Sequence, residues 1–217
     1  MSSTQISFNQ IVLLVKKFEA RGWNANRITQ LGQAPAKKFR AIEAILDGVP
    51  LNLAQKVTGS SGTDTTYLHY LESAIIAPTA GTAVLADAGD VFSGFLDSDL
   101  KNWNTNVTGT DTDETGADVY EMKQDGDYRT LFGSFGIDVS LLCWQQGQIK
   151  EFCRTNRHML RQGGYGTLFV FEANKKLFVA SVFVHDGELG LSVYRFEYGH
   201  VWRAGYRHRL VVPQQTL

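Results

Sequence analysis

The sequence predicts an α+β protein: a module of short helices at the N-terminus, and a four-stranded antiparallel sheet packed by a helix at the C-terminus. Three observations carry that prediction. Phe8, Ile11, Val12, Val15 and Phe18 recur at the spacing of one helix face. Ile149, Phe152, Cys153, Met159 and Leu160 do the same shortly before the last third of the chain. From there, apolar side chains alternate at a period of two between short turn pairs, the signature of hairpin-connected strands.

The first helix has Ser7 as its cap and Gly22 as its stop, with Lys16, Lys17 and Arg21 in its last turns. Cations there offset the negative end of the helix dipole. Trp23, Ile28 and Leu31 mark a second short helix. Pro35 suits the first turn of a third, which carries Phe39, Ile42, Ile45 and Leu46 and closes at Gly48-Val49-Pro50. We take residues 1–57 as one basic helical module. A helix-turn-helix on DNA and a module packed on the rest of the protein are both open to it.

Residues 58–147 form an acidic region, mixed α/β or rich in loops. Residues 58–66 read as a linker, and Tyr67 to Ile76 as helix or strand. Val91, Phe92, Phe95, Leu96, Leu100 and Trp103 fit a helical face. Residues 104–118 read as a loop, and Asp125-Gly126 as a hairpin turn.

Residues 148–217 are read as a helix over 148–160, a Gly163-Gly164-Tyr165-Gly166 connector, and strands near 166–173, 176–185, 188–198 and 201–212. Asn174-Lys175 and Asp186-Gly187 supply the turns. Alternation puts Thr167, Phe169 and Phe171 on one face and Leu168 and Val170 on the other. In the next strand it puts Phe178, Ala180, Val182 and Val184 opposite Leu177, Val179, Ser181 and Phe183. A sheet apolar on both faces needs cover on both. The helix covers one; other parts of the chain, or a second subunit in a homo-oligomer, cover the other.

The run Trp23-Asn24-Ala25 through Ile28, Leu31, Gln33, Pro35, Ala36 and Lys37 to Ile45-Leu46-Asp47-Gly48 resembles the helical opening of an uncharacterised bacterial protein family. The later Gly163-Gly164-Tyr165-Gly166, followed by aromatic-rich strands, is similar as well. The resemblance covers about half of the chain in two patches. It implies a bacterial cytoplasmic source and no activity.

Composition narrows the classes. At 43% apolar, 217 residues can bury a core of their own. No stretch approaches the length of a membrane-spanning helix, and the opening MSSTQISFNQ lacks the basic-then-apolar order of a secretion signal. Cys143 and Cys153 are too few for a disulfide scaffold, so we expect reduced, buried thiols and a cytoplasmic setting. The net charge of −1 hides a segregation: residues 1–57 carry +5, residues 58–150 carry −10 and residues 151–217 carry +4. A polyanion or an acidic protein is a fitting partner for the basic ends.

Motif searches return little. There is no phosphate loop, dinucleotide fingerprint, HExxH or nucleophile elbow, and no cofactor is expected. Asp111, Asp113, Thr115 and Gly116 occupy positions 1, 3, 5 and 6 of a calcium loop, but position 12 is Met122 where a Glu is needed. Asp111 and Asp113 therefore rank as weak metal candidates in a solvated acidic loop. His200 and His208 could converge, but no third zinc ligand is apparent.

The densest polar cluster lies in the last strands: Tyr194, Arg195, Glu197, Tyr198, His200, Arg203, Tyr206, Arg207, His208 and Arg209. Three readings compete. In the first, which we adopt, Arg195, Arg203, Arg207 and Arg209 contact phosphates while Tyr194, Tyr198 and Tyr206 stack on unpaired bases of single-stranded RNA. In the second, a ribonuclease uses His208 or His200 as acid or base and Arg207 or Arg209 against the charge at phosphorus. In the third, the cluster is a structural or protein-interaction surface. The reading is binding rather than catalysis.

Overall fold

The computed structural model describes residues 62–214. The three helices expected over residues 1–57 lie outside the described residues, as does the DNA reading attached to them. The expected α+β class holds, but the four-stranded antiparallel sheet does not. The sheet has seven strands and is mixed, and short helices occur along the described chain.

In chain order the strands are β1 (Leu68–Ile76), β2 (Phe95–Leu96), β3 (Thr115–Met122), β4 (Thr167–Ala173), β5 (Lys176–His185), β6 (Glu188–Arg195) and β7 (Arg209–Pro213). Across the sheet they run β1-β3-β7-β4-β5-β6-β2. β7 pairs antiparallel with β3 and parallel with β4, and β2 pairs parallel with β6; the remaining neighbours are antiparallel. The acidic middle thus supplies three strands to the sheet that the last third completes.

The meander β4-β5-β6 forms for the reasons the sequence gives. Asn174 and Lys175 have φ of 51° and 60°, and Asp186 and Gly187 have 48° and 79°. Two consecutive positive φ values make a two-residue turn whose twist matches the flanking strands. Before β4, Gly163 and Gly164 both take positive φ, and the Gly164 N–H bonds to Val184 O at 2.8 Å. The β4-β5 register pairs Phe171 with Phe178, Phe169 with Ala180 and Thr167 with Val182.

The alternation sorts the two cores. On the first face, Phe169, Phe171, Phe178, Ala180, Val182 and Val184 pack with Ile149, Phe152 and Cys153 of helix α3 (Gln146–Thr155). Helix α1 (Asp99–Asn102) adds Leu100 to that core. On the second face, Leu168, Val170 and Val179 pack with Tyr128, Leu131 and Phe132 of helix α2 (Tyr128–Gly133), and with Leu142 of the 3-10 turn Val139–Leu142. Both faces are covered by the chain itself. Each buried aliphatic or aromatic side chain contributes roughly 1.5–3 kcal/mol of transfer free energy.

Several expected elements come out differently. The helical face read at 91–103 becomes β2 and the single turn α1, because Phe95 and Leu96 find an open edge on β6. Asp125-Gly126 does not close a hairpin; Asp127 accepts the Thr130 N–H at 2.8 Å and starts α2. The helix expected over 148–160 ends at Thr155 and is followed by a 3-10 turn, Arg157–Met159. The strand expected over 201–212 is mostly irregular, and only Arg209–Pro213 joins the sheet.

Candidate functional site: an aromatic ridge on the second face

After β6 the chain crosses the second face before returning as β7. Phe196 turns into the second core, and the Tyr198 N–H bonds to Arg195 O at 3.0 Å. Trp202 forms a two-bond antiparallel bridge with Gly126, at 2.9 and 3.1 Å. Asp125 Oδ1 accepts the Ala204 N–H at 2.7 Å at the start of a 3-10 turn, Ala204–Tyr206. Arg207 then takes a left-handed conformation, φ 56°, which redirects the chain into β7.

This path strings aromatic rings into one continuous ridge. Tyr194 stacks on Tyr198 at 5.5 Å between centroids, and Tyr198 on His200 at 5.9 Å. His200 meets the Trp202 indole edge-on at 4.8 Å, and Trp202 meets His208 at 5.0 Å. Beyond His208, Tyr206 stacks on Tyr165 at 4.9 Å, and the Arg161 guanidinium lies 5.2 Å from the Tyr165 ring centre. Tyr128 supports the ridge from within, 5.6 Å from Trp202. Aromatic contacts of this kind add about 0.5–1.5 kcal/mol each beyond area burial, so the ridge is held in shape. Its outer rings stay open: Tyr198 is 49% exposed and Tyr206 46%, with Val201 beside them at 55%.

Electrostatics under the ridge favour neutral groups. His208 is buried, and its Nδ1 accepts the Gly166 N–H at 3.1 Å. Burial holds its pKa below the ordinary imidazole value. The Tyr128 phenol is pushed up by burial and then by Tyr194 and Tyr198 nearby, opposed by the Trp202 indole. The Tyr128 hydroxyl and the Trp202 Nε1–H are nonetheless both buried without a partner at hydrogen-bond geometry.

The expected arginine cluster is divided. Arg203 is exposed next to the ridge. Arg207 pairs with Glu121 of β3 at 2.7 Å, its side chain still largely open to solvent. Arg209 donates to Met159 O at 2.6 Å, and its Nε is buried without a partner. Arg195 leaves the ridge altogether: it sits opposite Phe178 in the sheet, on the first face, 5.0 Å from the Trp103 ring centre. The ridge keeps Tyr194, Tyr198, His200, Tyr206 and His208. The two histidines share a neighbour in Trp202, while Arg207 and Arg209 are committed to Glu121 and Met159.

Tyr165, Trp202, Tyr128 and Arg161 join the ridge without having been singled out from the sequence. A signal was present for one of them: Tyr194, Phe196, Tyr198, His200, Trp202, Tyr206 and His208 all fall on even positions.

Elsewhere, Asp111 Oδ1 accepts the Gly81 N–H at 2.8 Å, and Thr115 and Gly116 lie in β3. Among the described residues no three His, Cys, Asp or Glu side chains gather as metal ligands. Cys143 and Cys153 are free thiols, and burial raises both, Cys143 to about 12. No helix among the described residues is long and apolar enough to cross a membrane. The chain matches no family model, no curated protein and no solved structure.

Proposed function

We propose that this is a non-catalytic binding protein of the bacterial cytoplasm whose aromatic ridge takes single-stranded RNA. The observation that carries the reading is the pair of open, supported rings, Tyr198 and Tyr206, joined through His200, Trp202 and His208 in one unbroken series of ring contacts. Every base has a π-face, so rings fixed in place bind unpaired bases with little regard to sequence. Arg161 over the Tyr165 ring, the exposed Arg203 and the open side of Arg207 offer positive charge for a strand's phosphates. Free, protonated thiols suit a reducing compartment.

The test is fluorescence anisotropy of a labelled oligouridine with the full chain over a range of salt. Binding should weaken as salt rises. Replacing both Tyr198 and Tyr206 by Ala should weaken it roughly tenfold or more, with the fold intact by circular dichroism. Equal binding by the double variant would sink the reading. RNA cleavage lost in His208→Asn would favour the ribonuclease reading instead.

A further inference from the structure

A second candidate lies on the first face, across the sheet from the ridge. At the end of β6 a cavity of about 370 Å³ opens between Trp103, Lys176, Leu177, Phe178, Arg195 and Glu197. Its volume lies within the range of small-molecule sites. Trp103 stacks on Phe178 at 6.3 Å, and Phe178 stacks on Phe171 at 5.7 Å, so the indole is anchored in the first core. Arg195 in turn lies over the indole.

A guanidinium packed over a ring still has N–H groups to grip an oxyanion, and its fork can do so with two parallel bonds. Among the described residues no carboxylate lies within ion-pair distance of Arg195 or of Lys176. Two unpaired cations thus border one cavity, one of them packed over an anchored ring. Glu197, on the same rim, can accept hydrogen bonds but repels a ligand that is anionic throughout. Trp103 and Leu177 give the remaining wall an apolar character.

We infer that this cavity binds a phosphomonoester carried on a hydroxylated organic group, of the size of a sugar phosphate or a mononucleotide. Arg195 and Lys176 take the phosphate oxygens, and Glu197 accepts from a sugar hydroxyl. The same chemistry is offered by a free nucleotide and by the 5′-phosphate end of an RNA strand.

The experiment is titration calorimetry of the full chain with AMP, ribose 5-phosphate and adenosine at millimolar concentration. AMP and ribose 5-phosphate should bind, and adenosine should not. Arg195→Ala and Lys176→Gln should each weaken AMP binding roughly tenfold, and Arg195→Lys, which keeps the charge and loses the fork, should weaken it nearly as much. Both residues are exposed, so these variants should melt like the parent. Tyr198→Ala with Tyr206→Ala should leave AMP binding unchanged, which separates this site from the ridge. An oligonucleotide competing with AMP only when 5′-phosphorylated would assign the site to RNA ends; no competition would assign it to free metabolites. Absence of binding by both phosphates, adenosine binding as tightly as AMP, or AMP binding unaffected in Arg195→Ala overturns the proposal.

Discussion

His208 Nδ1 accepts the Gly166 N–H at 3.1 Å, which ties the residue before β7 to the residue before β4, where the two strands begin their parallel pairing. The bond requires an unprotonated Nδ1. Arg161 and His200, the charged and titratable groups acting on the ring, both oppose a positive charge on it, and burial opposes it more. The folded His208 therefore titrates below 6.5, the value for an exposed imidazole. As pH falls through that value the unfolded chain takes up a proton that the fold refuses, so stability is lost on the acid side and is complete above it. Urea unfolding from about pH 7.5 to about pH 5.5 should show this loss, no steeper than about 1.4 kcal/mol per pH unit for one proton. His208→Asn keeps an acceptor for Gly166 and removes the proton site. It should flatten the profile over that interval; an unchanged slope would rule out His208 as its source.

The sequence exposed what is local and hid what is distant. The turns at Asn174-Lys175 and Asp186-Gly187 are adjacent residues that dictate hairpins, so β4, β5 and β6 could be read with their facing. β7 could not, because its neighbours are β3, far back in the chain, and β4 in parallel. No turn chemistry announces either pairing. The site was legible in part for the same reason. Tyr194, Tyr198 and Tyr206 were visible as a cluster, but Tyr165 and Tyr128 reach it through the fold, and Arg195 departs from it because it follows Tyr194 on β6 and so faces the other side, where it meets the Trp103 ring.

Val182 tests that facing directly. It is fully buried in the first core, opposite Thr167 of β4. Val182→Asp places a carboxylate among the apolar side chains of the first core. A loss of about 4 kcal/mol or more is expected, a large fraction of a typical domain's stability. A soluble variant with an unaltered melting temperature would refute the assignment of faces.

Asp97 closes the edge of β6 beyond its short pairing with β2. Its Oδ2 accepts the Val193 N–H at 3.1 Å, and its Oδ1 accepts the Asp99 N–H at 3.0 Å at the start of α1. Asp97→Ala frees both donors, one of them on an edge strand. It should cost about 1–2 kcal/mol in chemical denaturation. Concentration-dependent association should appear in sedimentation, since an unpaired edge invites another strand. A variant as stable and as monodisperse as the parent would show that solvent serves these amides equally well.

Gln146, at the first turn of α3, joins three backbone groups that are far away in sequence. Its Oε1 accepts the Leu85 N–H at 2.8 Å, and its Nε2 donates to Thr105 O at 2.6 Å and to Val107 O at 3.1 Å. Thr105 O also receives the Val107 N–H, so the Leu85 amide is the group left most exposed to loss. Gln146→Leu fills the space but strands that amide, and should cost about 2–3 kcal/mol. Gln146→Glu separates the donor from the acceptor role. A carboxylate still serves Leu85, but it faces two carbonyl oxygens with no proton to give, so its folded-state pKa is raised. A raised pKa means that the fold binds a proton the unfolded chain has released, and stability then falls as pH rises. Both proteins keep His208, so the effect of the introduced carboxyl shows in the difference: the melting temperature of Gln146→Glu should draw closer to that of the parent as pH is lowered from about 7 to about 5. If the two proteins move in parallel, the amide of Gln146 is not what holds these loops to the helix.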